Sequence, residues 1–66
     1  MKNTTSRHFA AMFLQEMADE HGATATEIRQ QMPRAQAIVA GLLFMNPAMP
    51  VEELAFQFQQ QYINAQ

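Results

Sequence analysis

Cysteine is absent from this 66-residue chain, which removes disulfides and thiolate metal sites together. Two histidines, His8 and His21, are the only imidazoles, whereas a structural zinc site takes four ligands. No metal and no cofactor is therefore expected. Glycine occurs twice and tryptophan not at all, so there is no glycine-rich loop of the kind that cradles phosphates. Charged residues make up 15% of the chain and the formal net charge is −2. That is low against a usual ~25% and too close to neutral to steer the chain toward nucleic acid or anionic lipid. The longest nearly unbroken apolar run, residues 37–45, has nine residues, far short of the ~20 that a spanning helix needs. Gln15, Glu16 and Asp19 interrupt what would be the apolar region of a signal peptide. The reading is a cytoplasmic protein with no membrane partner.

What is plentiful is uncharged. Nine glutamines and six methionines accompany 48% hydrophobic residues, an apolar content typical of a globular domain. A chain this short buries only about 60% of the surface that it exposes when unfolded. Small domains are supplemented by disulfides, metals or self-association, and only the last is open here.

Hydrophobic periodicity predicts an all-α fold, a compact bundle of about four short helices. Residues 1–6 read as a flexible polar arm, with Thr5 or Ser6 able to cap the first helix, and residues 7–66 as a single helical domain. Ala10, Phe13, Leu14, Met17, Ala18 and His21 repeat at helical spacing on one face. Gly22 supplies a left-handed stop. Thr24 and Glu27 have capping-box spacing, opening a short second helix over residues 25–32. Pro33 disfavours helical geometry at Met32 and lacks a donor, so it should separate this helix from a third over residues 33–45. Asn46-Pro47 breaks the chain again, and Pro50 starts a fourth helix with Val51, Leu54, Ala55, Phe58 and Tyr62 inward.

The third helix is unusual. After Arg34 and Gln36 it carries no polar side chain through Met45, and a helix apolar all round is expected to be buried all round. It is placed as the central, apolar helix. Its Ala37/Ala40/Gly41/Phe44 side is built largely from small residues, and this side or the Phe56/Ile63 flank would form a homodimer interface.

Candidate chemistry is sparse. Glu16, Asp19 and Glu20 share one helix surface at i, i+3 and i+4. Acid–base work would need a desolvating cleft around one of them, and they face away from the apolar stripe. Ser6 and His8 lack an orienting third group and an oxyanion site. Met12, Met17 and Met45 read as core filling and Met49 as a loop contact. The chain is not read as an enzyme.

One pattern carries functional content. From Leu14 to Pro33 the chain resembles a helix-turn-helix motif, with Met17 and Ala18 inward, Gly22 at the turn, Ala23 buried after it and Ile28 inward. The resemblance implies residues 25–32 as recognition helix, with Thr26, Arg29 and Gln30 outward toward DNA; Arg can read guanine and Gln adenine. His21 and Gln31 depart from it, standing where apolar residues are usual. Glu16, Asp19 and Glu20 crowd the helix that would lie along the phosphates, against Lys2, Arg7, Arg29 and Arg34. The favoured expectation is a non-catalytic helical protein-interaction module: a regulator, inhibitor or adaptor of bacterial or phage type. It would partner itself and another protein through Phe44, Met49, Phe56 and Ile63, with DNA binding as the alternative.

Overall fold

The computed structural model describes residues 4–64, and these form three helices with no strand: α1 (Thr4–His21), α2 (Ala25–Met45) and α3 (Val51–Asn64). α1 runs until Gly22, whose φ of +79° is the left-handed geometry that a Cβ disfavours. There the N–H groups of Gly22 and Ala23 both donate to the Ala18 carbonyl, at 2.6 and 3.2 Å, closing the helix end. Of the expected arm, residues 1–3 lie outside the described residues. Thr5 and Ser6 stand inside α1 rather than before it, and Ser6 is buried.

Two residues later the chain re-enters a helix through a complete capping box. The Glu27 N–H donates to Thr24 Oγ1 at 3.2 Å, and the Thr24 N–H donates to Glu27 Oε1 at 2.8 Å. Two of the donors that a helix start leaves unpaired are thereby satisfied. Thr24→Ala is expected to lower unfolding free energy by about 1 kcal/mol in urea titration, with Thr24→Ser close to the parent. A loss under about 0.3 kcal/mol would mean that water caps this end as well as the side chain does.

The expected break at Pro33 does not occur. The second and third predicted helices are one helix of 21 residues with Pro33 inside it, so the bundle has three helices and not about four. The reason lies in packing. Ile28, Met32, Ala35, Val39 and Leu42 follow one another at steps of four and three, a single stripe that crosses the proline without a change of phase, and all join the core cluster. Tertiary burial of this stripe outweighs the local preference of Met32 for extended geometry. Arg29 and Pro33 are exposed, so water can reach the Arg29 carbonyl that has lost its partner.

Downstream, the Asn46 N–H donates to Leu42 O at 2.9 Å and its side chain accepts from the Ala48 N–H at 3.3 Å. This turn delivers Pro50, whose carbonyl accepts the first bond of α3 from Leu54 at 2.8 Å. The core joins Ala10, Phe13 and Leu14 of α1, Ala35, Val39 and Leu42 of α2, and Leu54, Phe58 and Tyr62 of α3. Aromatic rings run through it in sequence. Phe9 stacks with Phe13 (5.8 Å), Phe13 meets Phe58 (5.2 Å), and Phe58 stacks with Tyr62 (5.4 Å).

α2 is the middle element, in contact with both neighbours, yet its apolar half is not enclosed. Ala37, Gly41, Phe44 and Met45 are exposed, Phe44 to 84% and Met45 to 80%. The expectation of burial all round fails because two helices of 18 and 14 residues cover only one side of it. Met45, read as core filling, points to solvent; Met12 and Met17 do pack against the core.

Candidate functional site

Two kinds of surface feature stand out: exposed apolar side chains, and an open groove at the α1–α2 corner. The apolar side chains fall on a part of the chain with almost no charge. Of ten charged residues (four basic, six acidic), eight precede Ala35, and only Glu52 and Glu53 follow it. Within that charge-poor half Phe44, Met45, Val51, Phe56 and Ile63 are exposed.

The structure distributes the four expected partner-binding residues over three places. Phe56 (59% exposed) and Ile63 (51% exposed) lie seven residues apart on the outward face of α3, about 10 Å along the axis. Gln59 and Gln60 stand between them, also exposed. Phe44 stands in the last turn of α2, its ring in solvent. Met49, expected as an exposed loop contact, is half-buried and packs on the core. Glu52 and Glu53 occupy the first turn of α3, where the helix dipole favours carboxylates. Gly41 has open space around the place of its missing Cβ; on the same small-residue side of α2, Ala37 and Phe44 are exposed and Ala40 is half-buried.

The corner groove has a volume of about 400 Å³, with Leu14 and Met17 of α1, Ile28 of α2, and Tyr62 and Ile63 of α3 among its walls. His21 and Glu27, both exposed, also line it. Gln31 and Tyr62, further lining residues, belong to a polar network that sequence reasoning missed. Gln31 Oε1 accepts from the Tyr62 hydroxyl at 3.0 Å and from Arg34 Nη1 at 3.2 Å. Arg34 Nη2 donates to the Tyr62 carbonyl at 2.6 Å, and its guanidinium lies over the Tyr62 ring at 4.2 Å. Gln31, the departure from the helix-turn-helix pattern, is thus the acceptor at the centre of a contact between α2 and α3. Its spacing of three from Arg34 was the available signal, because residues three apart on a helix are neighbours.

Thr26, Arg29 and Gln30 are all exposed on α2 ahead of Pro33. The proposed recognition segment is therefore the opening of a longer helix rather than a helix of its own. Arg34 is occupied by Tyr62 and Gln31. The carboxylates of Glu16, Asp19 and Glu20 are solvated; Asp19 accepts from Gln15 Nε2 at 3.1 Å, and Glu20 lies 3.9 Å from His21 Nε2. Among the described residues no three His, Asp or Glu side chains gather as a metal site would require, and no helix is long and apolar enough to cross a membrane. No family model, curated protein or solved structure matches the chain.

Proposed function

We propose that this chain is a small non-catalytic protein-interaction module, a regulator, inhibitor or adaptor, that acts as a homodimer and also engages another protein. The observation that carries the reading is the exposure of Phe44, Met45, Phe56 and Ile63 on a half of the chain whose only charges are Glu52 and Glu53. Interface cores are enriched in aromatic and Met side chains and depleted in Lys and Glu. Phe44, Phe56 and Ile63 are the anchors, whereas Met49 is half-buried against the core. A standard interface buries about 800 Å² per partner, about a sixth of the 4698 Å² that this chain exposes. The wide apolar side of α2 and the outward face of α3 are each extended enough to contribute. Sedimentation of the intact chain across the micromolar range tests the self-association. A concentration-dependent dimer is expected, and a monomer at high micromolar concentration overturns it.

A second reading, DNA binding through Thr26, Arg29 and Gln30, draws on their common exposure after the Gly22 turn and the Thr24 cap. Its weakness is electrostatic, since Arg34 is engaged within the fold and residues 14–33 carry Glu16, Asp19, Glu20 and Glu27 against Arg29 alone. Salt-sensitive retention on duplex DNA that is lost in Arg29→Ala and Gln30→Ala would favour it, because DNA binding weakens with salt and these are the side chains that would reach base edges.

A further inference from the structure

α2 carries a proline at its ninth position, where the missing N–H and the ring's crowding of the preceding turn make a helix easiest to bend. What happens on the two sides of that proline is unequal. After it, Ala35, Val39 and Leu42 are buried. Before it, no side chain of residues 25–32 is fully buried; Ile28 and Met32 pack half-buried on the core, Gln31 is half-buried and the rest are exposed. The early segment forms one wall of the open corner groove through Glu27, Ile28 and Gln31, and its far end is joined to α1 through Gly22 in left-handed geometry. Segments with few buried contacts are the ones that open locally, at lower free energy than the whole domain.

Among the described residues, one set of polar side-chain contacts ties the two sides of the proline to another helix. Tyr62 bonds through its hydroxyl to Gln31, two residues before Pro33. Through its carbonyl and ring it holds Arg34, one residue after. Arg34 and Gln31 are also joined directly, across the proline. We propose that α2 is hinged at Pro33 and that Tyr62 is the latch: while Tyr62 holds Gln31 and Arg34, residues 25–32 stay in line with the rest of α2, and release of α3's last turn lets them swing, widening the groove over Leu14 and Met17. This inference is independent of self-association. It assigns Tyr62, Gln31 and Arg34 to control of the corner rather than to a contact with a partner. Ile63 lies next to the latch and is half exposed, so anything that draws this turn outward frees both sides of the proline at once.

Residue-resolved amide hydrogen exchange on the full chain tests it. In the parent, the amides of residues 29–32 should exchange through a lower-energy opening than those of residues 13–18 in α1. In Arg34→Met the amides of residues 29–32 should exchange about tenfold faster, and in Tyr62→Phe several-fold faster, as expected for loss of one or more hydrogen bonds. Residues 13–18 and 39–42 should change less than about twofold, since their opening does not involve the latch. The hinge is tested in the Pro33→Ala background, which restores the N–H to the Arg29 carbonyl. There the selective acceleration by Tyr62→Phe should fall to near none. Equal acceleration in all three helices, no acceleration, or an effect undiminished by Pro33→Ala each overturns the proposal. Should Arg34→Met fail to fold, Tyr62→Phe, which removes a single oxygen, decides it alone.

Discussion

Phe58→Ala is expected to remove about 3–5 kcal/mol of stability, the range for truncating a buried aromatic side chain, and to leave the chain largely unfolded at 25 °C. Phe58 is 1% exposed and stands between Phe13 of α1 and Tyr62 of α3, at 5.2 and 5.4 Å. Removing it takes away apolar burial, two aromatic pairs worth about 0.5–1.5 kcal/mol each, and a ring that packs α3 on Phe13 of α1. Few side chains remain to close the hole, because the core cluster among the described residues has nine buried members besides the half-buried ones packed on them. Domains are stable by about 0.05–0.15 kcal/mol per residue, so a chain of 66 residues has little margin over such a loss. Circular dichroism with urea titration measures it. Phe58→Leu, which keeps most of the volume, should retain a cooperative transition at a lower midpoint. A Phe58→Ala protein that unfolds cooperatively with a loss under about 1 kcal/mol would show that the three-helix core can collapse around the gap.

Most of the secondary structure could be read from the residues, because its signals are local. The stripe of α1, the glycine stop, the Thr24/Glu27 box and the helix after Pro50 each depend on contacts within a few positions. The fold departs from that reading at Pro33. A proline is a strong local signal for a boundary, and its effect was reversed by a non-local one. The spacing of Ile28, Met32, Ala35, Val39 and Leu42 across it is visible in the chain, yet its weight depends on there being a core for the stripe to face. The reading of residues 37–45 failed in the opposite direction. Composition shows that this stretch is apolar on every side; it does not show how many neighbours exist to cover it. Two do, and they leave Phe44 and Met45 in solvent. The Tyr62 network was out of reach for another reason, since it joins positions 28 and 31 residues apart. Only the Gln31–Arg34 half of it has a short-range spacing. Exposure of Phe56 and Ile63 followed directly from their place opposite Leu54 and Phe58 on a helix of known phase.

Phe56→Lys and Phe44→Lys, made separately, are expected to separate the two apolar faces by their effect on self-association. Both side chains are mostly exposed in the single chain, and lysine is a good helix former, so each variant should keep the parent's helicity and urea midpoint measured under monomeric conditions. In a two-fold interface the same side chain is buried once from each partner. Burying a phenylalanine contributes about 1.5–3 kcal/mol, so one substitution at the contact forfeits about 3–6 kcal/mol of association free energy. At 1.4 kcal/mol per tenfold, that is a weakening of about 10²- to 10⁴-fold, before any repulsion between the two lysines. The face not used should change by less than about threefold, since a rim or remote charge alters affinity little. Sedimentation equilibrium reads both. If Phe56→Lys abolishes the dimer and Phe44→Lys does not, the outward face of α3 is the self-interface. The end of α2, with its uncovered Phe44 and Met45, is then the surface left for a different protein. The reverse result places the copies across the Ala37/Gly41/Phe44 side of α2. A dimer that resists both changes would locate the contact away from every exposed aromatic side chain on the charge-poor half and remove the observation on which the proposed function rests.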